Sequence, residues 1–163
     1  MSDDIKTKKE IVGELLLTEE DTMKKLQSLI EKTKSFVRID QKANKIVISS
    51  EFDFIIIEKI LLFLIGKYFS KELGLSETDG MLLKELQKES GIVRTTLTKP
   101  LGQLSDSGYI GQDEKKRYFI RHYKIEEVVN SLHNKYIEKN SDAKGIRLKS
   151  KTKNKKRGSS KNG

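Results

Sequence analysis

The most informative pattern of apolar and polar positions lies at residues 91–110, GIVRTTLTKPLGQLSDSGYI. Leu97, Leu101 and Leu104 recur at the i, i+4, i+7 spacing of one helix face, which predicts a helix over about 94–106. The side chains away from the leucines are small, polar or basic, with no acid among them, namely Arg94, Thr95, Thr98, Lys99 and Gln103. The apolar face would anchor this helix to a core and leave the outer face free to contact a partner.

Pro100, the one proline in the chain, lies in the middle of this predicted helix. Proline removes an amide donor and clashes with the preceding turn, at a cost of about 3 kcal/mol in a helix interior. It also biases the residue before it away from helical dihedral angles. Two interpretations follow: a continuous but bent helix, or a helix that begins later with Thr98 as its cap. We expect the continuous helix, because Leu97 keeps register with Leu101 and Leu104.

Regular elements are also predicted on either side of this helix. A short helix over about 79–90 comes first, followed by Gly91 as a turn residue. After the helix, the strand-like runs YIGQ and RYFIR flank DEKK, and the stretch KIEEVVNSLHNKYIEK forms a last helix. The predicted inward positions are Leu82, Leu83 and Leu86 in the short helix and Ile125, Val128, Val129, Leu132 and Tyr136 in the last helix.

The first fifty residues have a pattern of their own. Helices are predicted over about 8–17 and 18–34, the second starting with the capping-box sequence TEED. Two β-rich runs, Phe36–Ile39 and Lys45–Ser49, flank DQKAN and predict a hairpin. The predicted apolar faces of the helices are Ile11, Val12, Leu15 and Leu16 in the first and Met23, Leu26, Leu29 and Ile30 in the second. Residues 1–50 are therefore expected to form a small N-terminal α+β appendage.

The most apolar stretch, FDFIIIEKILLFLIGKYF at 52–69, lies in a helix predicted over about 51–73, from a Ser50 cap to the turn residue Gly74. Two charged residues interrupt it, and its apolar core is shorter than the roughly 20 residues that a membrane helix needs. The helix is apolar around most of its circumference, so it needs partners on several sides. We interpret it as a central buried helix, with a homodimer interface as the alternative and with no membrane contact.

The order of these elements is helix, short helix, glycine turn, second helix and two-stranded hairpin. The stretch ELQKESGIVRTTLTKPLGQLSDSGYI resembles the helix, turn and recognition helix of bacterial and archaeal winged helix-turn-helix regulators, and GYIGQDEKKRYFIR resembles their wing. The matching positions are Leu86, Gly91, Ile92, Leu97, Leu104, Gly108 and Ile110. The resemblance covers about 54–138. It implies a mainly α fold with small β, in which a winged helix-turn-helix domain at 51–138 follows the N-terminal appendage.

The resemblance also implies which residues meet DNA. A recognition helix lies in the major groove, where short polar and basic side chains reach phosphates and base edges. In the predicted helix those residues are Arg94, Thr95, Thr96, Thr98, Lys99 and Gln103. At the tip of the wing, Lys115, Lys116 and Arg117 are expected against the phosphate backbone or in the minor groove. Two acids that precede them, Asp113 and Glu114, weaken the positive field at this tip.

The charge of the chain indicates the same class of partner. The net charge is +9, and residues 139–163 hold ten Lys or Arg and one acid, so the whole excess lies there. With no aromatic and almost no apolar residues, these residues are expected to form a disordered basic tail. Such a tail contacts polyanions, meaning DNA, RNA or an acidic membrane surface, or serves only solubility. The tail residues expected to bind nucleic acid are Lys151, Lys153, Lys155, Lys156 and Arg157.

Few residues suit catalysis or metal binding. The chain has no cysteine, which excludes disulfides, thiolate chemistry and cysteine zinc sites. Its two histidines, His122 and His133, have no metal partner at helical spacing, and no phosphate loop, nucleophile elbow or HExxH motif occurs. No signal-peptide pattern is visible either. We therefore expect no enzyme activity, no metal and no cofactor, and a cytoplasmic, nucleoid-associated location.

The sequence favours one function over two alternatives. The favoured function is sequence-specific binding of double-stranded DNA by a transcription regulator, dimeric in our expectation, with the tail adding non-specific affinity for phosphates. The first alternative is an architectural or RNA-associated protein that binds nucleic acid without reading bases. The second is a winged helix used as a protein–protein interaction scaffold.

Overall fold

The computed structural model of the chain describes residues 7–16, 18–139 and 145–149. It is mainly helical with two antiparallel sheets of two strands each, which confirms the predicted class, mainly α with small β. The elements in chain order are α1 (Lys8–Gly13), α2 (Glu19–Thr33), β1 (Val37–Asp40), β2 (Lys45–Ile48), α3 (Ile56–Glu72), α4 (Leu83–Ser90), α5 (Arg94–Asp106), β3 (Ile110–Gln112), β4 (Tyr118–Ile120), α6 (His122–Leu132) and a π-helical turn (His133–Ile137).

Helix α3 is the centre of the fold. Strands β1, β2 and β4 and helices α4, α5 and α6 all contact it, and its residues 60–65 form a continuous buried run. The prediction of a central buried helix is therefore confirmed. These partners belong to the same chain and cover residues 60–65, while the alternative of a homodimer interface stays a prediction. No helix among the described residues is long and apolar enough to cross a bilayer.

The start of α3 differs from the prediction. The N-cap residue is Ile55 and not Ser50, so the helix begins about five residues later than expected. The residues between them belong to a cluster of aromatic rings. Its members are Phe36, Phe52, Phe54 and Tyr136, with ring centroids 5.0 to 5.9 Å apart. The carboxylate of Glu58 accepts the Ile55 amide at 3.0 Å and so takes the place of the predicted serine cap.

Glu58 is a buried charge that the apolar pattern did not predict. Its side chain is only 4% exposed. The Lys135 ammonium donates to one carboxylate oxygen at 2.7 Å, and the Tyr136 hydroxyl donates to the other. Burial, and then the hydrogen bond to Glu58, raises the pKa of Tyr136 to about 12. With these donors the carboxylate is satisfied, and the π-helical turn is tied to the start of α3.

The β1–β2 hairpin packs directly on α3. Its register pairs Val37 with Ile48 and Ile39 with Ile46, and both strands lie within one residue of their predicted ends. Gly66 of α3 permits the close approach, because a Cβ atom there would lie 2.5 Å from Cγ2 of Ile46. The hairpin is therefore joined to the central helix through a position that only glycine fits without movement.

The two N-terminal helices start where the sequence predicts. The Thr18 hydroxyl accepts the amide of Asp21 at 3.0 Å, and the Asp21 carboxylate accepts the amide of Thr18. This confirms the capping box of α2. Helix α1 starts at Lys8 as predicted, but it ends at Gly13 and is shorter than the range 8–17.

The apolar faces predicted for these helices are wrong in large part. Leu29 and Ile30 of α2 are half-buried. The exposed ones are Ile11, Val12, Leu15, Leu16, Met23 and Leu26. The reason is that α2 contacts the body near its C-terminal end, where the Lys32 ammonium donates to the Asn130 side chain at 2.8 Å. The first turns of α2 and all of α1 therefore bury no residue.

The C-terminal elements follow the prediction closely. Helix α4 begins at Leu83, later than residue 79, because Met81 first forms a β-bridge with Tyr118 through two 2.8 Å hydrogen bonds. Leu86 is buried, as are all the apolar positions predicted for α6. Tyr136, which follows α6 in the π-helical turn, is half-buried.

The predicted basic tail includes one segment that contacts the body. Of residues 139–163, the structure describes Lys139 and residues 145–149. Ile146 and Leu148 are partly buried and pack against the core, which the composition of the tail did not lead us to expect. The lysines and the arginine predicted at 151–157 lie outside the described residues.

Candidate nucleic-acid interface

Helix α5 has one buried and one exposed face. Leu97, Leu101 and Leu104 are buried, each at most 2% exposed, which confirms the register predicted from their spacing. The predicted groove residues that are exposed are Arg94, Thr95, Thr96, Thr98 and Lys99, whereas Gln103 is half-buried. Of the six contact residues predicted on α5, five are therefore exposed and Gln103 is less accessible.

Pro100 lies inside α5 without ending it. The helix runs from Arg94 to Asp106, so the continuous helix is the correct interpretation and the later start at Thr98 is wrong. Thr98 is not a cap: its hydroxyl donates to the Arg94 carbonyl at 2.9 Å, one turn earlier.

The start of α5 differs electrostatically from those of the preceding helices. Helices α1 to α4 each carry an acid in the first turn, and α5 carries none. The N-cap residue Val93 has no side chain that can accept a hydrogen bond. The first amides of α5 are therefore uncapped, and the partial positive charge of the helix N-terminus adds to that of Arg94.

The two basic residues of α5, Arg94 and Lys99, are both exposed. Arg94 and Lys99 form no ion pair with any described residue. By contrast, Lys24 of α2 and Lys34 at its C-cap each pair with a glutamate one turn away. From residue 94 to residue 121 the chain has six basic and three acidic side chains. The surface that α5 and the β3–β4 turn offer is therefore suited to an anionic partner.

Asp113 organises the β3–β4 turn. Its carboxylate accepts the amides of Lys115 and Arg117, each at 2.9 Å, and Nε of Arg117 at 2.9 Å. These bonds, the Arg117 amide first, lower the pKa of Asp113. Lys116 has φ +66°, a left-handed conformation that fits a tight turn. Lys115 and Lys116 are exposed at the tip, while the guanidinium of Arg117 is engaged by Asp113.

The base of this turn is held close to the rest of the domain. A Cβ atom at Gly80 would lie 2.9 Å from Cβ of Arg117, and one at Gly111 would lie 2.7 Å from the Phe119 ring. These two glycines therefore let neighbouring side chains pack on the backbone at both sides of β4. Sequence reasoning missed both, because nothing in the pattern indicates a close approach from a distant residue.

Tyr109 and Glu127 form a contact that sequence reasoning also missed. Tyr109 is 2% exposed, and its hydroxyl donates to Glu127 at 2.7 Å. The Lys124 ammonium lies 4.9 Å from the centroid of the Tyr109 ring and 3.2 Å from the Glu127 carboxylate. The hydrogen bond from Tyr109 lowers the pKa of Glu127, which therefore stays ionised at neutral pH. The contact joins the middle of α6 to the segment that follows α5.

Among the described residues, no group of three His, Cys, Asp or Glu side chains could hold a metal ion. Comparison with models of protein families, with curated proteins and with solved structures gave no match to this chain.

Proposed function

We propose that this protein binds double-stranded DNA through the exposed face of α5, with the β3–β4 turn as a second contact, as a winged helix-turn-helix transcription regulator. The observation that carries the proposal is the two-sided character of α5. Its three leucines are buried, while Arg94, Lys99 and three threonines are exposed. A role on DNA implies a cytoplasmic, nucleoid-associated location and requires neither catalysis nor a cofactor.

The elements around α5 support a winged helix. Helix α4, the turn at Gly91 with φ +73° and α5 follow one another as a helix-turn-helix. The β3–β4 hairpin comes next, and the bridge from Met81 adds a third strand-like contact beside Tyr118. In helix-turn-helix proteins the second helix enters the major groove, with its N-terminal residues at the base edges. Helix α5 occupies that position in the order of elements.

The side chains on α5 suit distinct roles at DNA. Arg94 lies at the N-terminal end, where its guanidinium can donate two hydrogen bonds to O6 and N7 of one guanine. Lys99 suits a phosphate, because its ammonium is a point charge without a fixed plane of donors. The threonines offer hydroxyls to phosphates and methyl groups to thymine. Specificity would then depend chiefly on Arg94.

A second candidate function is phosphate binding without base readout, by an architectural or RNA-associated protein. It is favoured by the pairing of Arg117 with Asp113 and by the partial burial of Gln103, which leave few residues to read bases. The net charge of the chain, which lies wholly at 139–163, supplies sequence-independent affinity. The two candidates agree on a polyanionic partner and differ on whether α5 reads sequence.

Selection of the full chain on a random duplex pool, beside binding to a matched duplex RNA, tests the proposal. We expect an enriched motif on DNA. Arg94→Ala should weaken binding to that motif by about 1–3 kcal/mol and relax one base position. The matched control is Lys25→Ala, which removes a charge from the exposed part of α2 and should leave the base preference unchanged.

The other outcomes of this experiment identify the alternatives. A motif that Arg94→Ala leaves intact would show that the N-terminal end of α5 does not read bases. Salt-dependent binding with no motif, on DNA or RNA alike, would support the second candidate. If the chain bound neither DNA nor RNA, the remaining hypothesis would be a winged helix that serves as a protein–protein interaction scaffold.

A further inference from the structure

Residues 145–149, Gly-Ile-Arg-Leu-Lys, have one apolar and one basic side. Ile146 and Leu148 are partly buried against the core, whereas Arg147 and Lys149 are exposed. This alternation is that of an extended chain, in which successive side chains point to opposite faces. We call residues 145–149 the C-terminal strap.

Two hydrogen bonds fix the register of the strap on the body. The amide of Arg147 donates to the Tyr109 hydroxyl oxygen at 3.2 Å, and the amide of Lys149 donates to the Ser107 hydroxyl at 2.8 Å. Donors two residues apart on the strap thus meet acceptors two residues apart just after α5. The strap therefore lies along the C-terminal end of α5, at the base of the β3–β4 hairpin.

Of the two residues that accept a hydrogen bond from the strap, Tyr109 is the more deeply buried. Its hydroxyl proton goes to Glu127, so an oxygen lone pair is left to accept the Arg147 amide. Burial and Glu127 together raise the pKa of Tyr109 to about 12, which keeps the phenol neutral at physiological pH. The ring itself is 2% exposed, so the acceptor is held rigidly by the core.

We propose that the C-terminal strap belongs to the nucleic-acid interface and that its Arg147 and Lys149 contact backbone phosphates. Tyr109 is the positioning residue that holds the strap in place. This inference rests on the proposed function and names a partner group for it, the phosphates of the DNA flanking the α5 contact.

The geometry of the strap suits two phosphates of one DNA strand. In an extended chain, residues two apart stand roughly 6.6 Å apart on the same side, and each DNA strand carries one phosphate per about 3.4 Å of helix axis. This separation is about twice the axial rise per phosphate, so Arg147 and Lys149 can reach two phosphates of one strand together. A cation held in place loses less conformational freedom on binding than one on a free tail, so docking of the strap should strengthen binding at constant charge.

The charge of the strap is tested by a double variant of the full chain. Arg147→Gln with Lys149→Gln should make the slope of log K against log salt shallower by about 2 units, at about 0.9 per phosphate. The matched control is Lys42→Gln with Lys45→Gln, which removes the same charge from exposed positions of the β1–β2 hairpin. The control should change the slope by less than about half a unit.

The positioning role is tested by Tyr109→Phe, which keeps the buried ring and every charge. We expect the Arg147 amide to lose its protection from hydrogen exchange and affinity for the duplex to fall about three- to tenfold, as expected when one or two side chains must be ordered on binding. Ser107→Ala should act in the same direction on the Lys149 amide. A parent-like unfolding curve for Tyr109→Phe separates this effect from loss of the fold.

Each contrary result overturns a defined part of the inference. An unchanged salt slope in the double variant, with Arg94→Ala still defective, would remove the strap from the interface and leave the proposed function standing. Parent-like affinity of Tyr109→Phe despite a deprotected Arg147 amide would overturn the positioning role. Absence of duplex binding by the parent chain would overturn the proposed function and the phosphate role with it.

Discussion

The N-terminal helices and the unit formed by α4, α5 and α6 show equally clear apolar faces but bury them to very different degrees. In α1 and the turn after it, Leu15 is 83% and Leu16 is 77% exposed, whereas Leu97 and Leu104 of α5 are fully buried. An apolar stripe says which side of a helix avoids water, but burial requires a partner. For α5 the partners are α3, α4 and β3, and α1 buries no residue at all.

A second apolar surface lies beside α2. An open cavity of about 530 Å³ separates the C-terminal halves of α2 and α3 along β1. Its lining includes Leu26, Ile30, Tyr68, Phe69 and Leu73. The N-terminal part of the molecule thus exposes apolar surface both on α1 and between α2 and α3, while the unit around α5 is closely packed.

The largest effect expected from this difference concerns paired leucine truncations. Leu104→Ala should lower the free energy of unfolding by about 2–5 kcal/mol, because it leaves a cavity under α5. Leu15→Ala should change it by less than about 0.5 kcal/mol, as is usual for an exposed position. Urea unfolding followed by circular dichroism measures both. A loss of several kcal/mol for Leu15→Ala would mean that the N-terminal apolar face is buried in solution.

A smaller effect is expected at the contact between the β1–β2 hairpin and α3. Gly66→Ala should destabilise the protein by about 1–3 kcal/mol, because the new methyl group forces Ile46 and the hairpin away from α3. The matched control is Gly102→Ala in α5, where a Cβ atom meets nothing within 4 Å. That change should raise stability by about 0.5–1 kcal/mol, since alanine favours the helix. Equal effects of the two substitutions would contradict the close contact at Gly66.

These two regions also explain which parts of the fold the sequence could predict. The turn at Gly91, the register of Leu97, Leu101 and Leu104, and both hairpins follow from local patterns, and the structure has them all. Features that depend on residues distant in the chain were missed. The late start of α3 comes from rings that pack on Phe36 and Tyr136, and the bond between Glu58 and Lys135 joins positions 77 residues apart.

In the candidate site, too, some features could be predicted from the sequence and others could not. The exposure of Lys99 followed from its place opposite the leucines. Arg94 lies nearer the leucine side and is exposed at the first turn of α5. The engagement of Arg117 by Asp113 did not follow from the pattern, because the sequence shows only that charges of both signs lie near the turn. The sequence contains a weak indication of the C-terminal strap, because Ile146 and Leu148 alternate with Arg147 and Lys149. The strongly basic composition of residues 139–163 made this alternation easy to overlook.

The smallest expected changes in the free energy of unfolding concern the capping boxes of α1 and α2. Both boxes have the same hydrogen-bond pattern, but only α2 is packed on the rest of the fold. Thr7 accepts the Glu10 amide at 3.2 Å, and Thr18 accepts the Asp21 amide at 3.0 Å. Thr18→Ala should lower the free energy of unfolding by about 1 kcal/mol, because α2 is joined to α6 and forms part of the cooperative fold. Thr7→Ala should lower it by less than about 0.3 kcal/mol, since fraying of a helix that buries nothing costs no packing.

The control for these caps is Thr22→Ala, which makes the same substitution inside α2. Its hydroxyl donates to the Thr18 carbonyl, and alanine is the better helix former, so stability should stay the same or rise by a few tenths of a kcal/mol. If Thr7→Ala cost as much as Thr18→Ala, α1 would belong to the cooperative fold and its exposed leucines would need a partner in solution. If neither cap mattered, the stability of α2 would reside wholly in its C-terminal half, where Lys32 meets Asn130. The pair of caps therefore locates the point along the chain at which the packed fold begins.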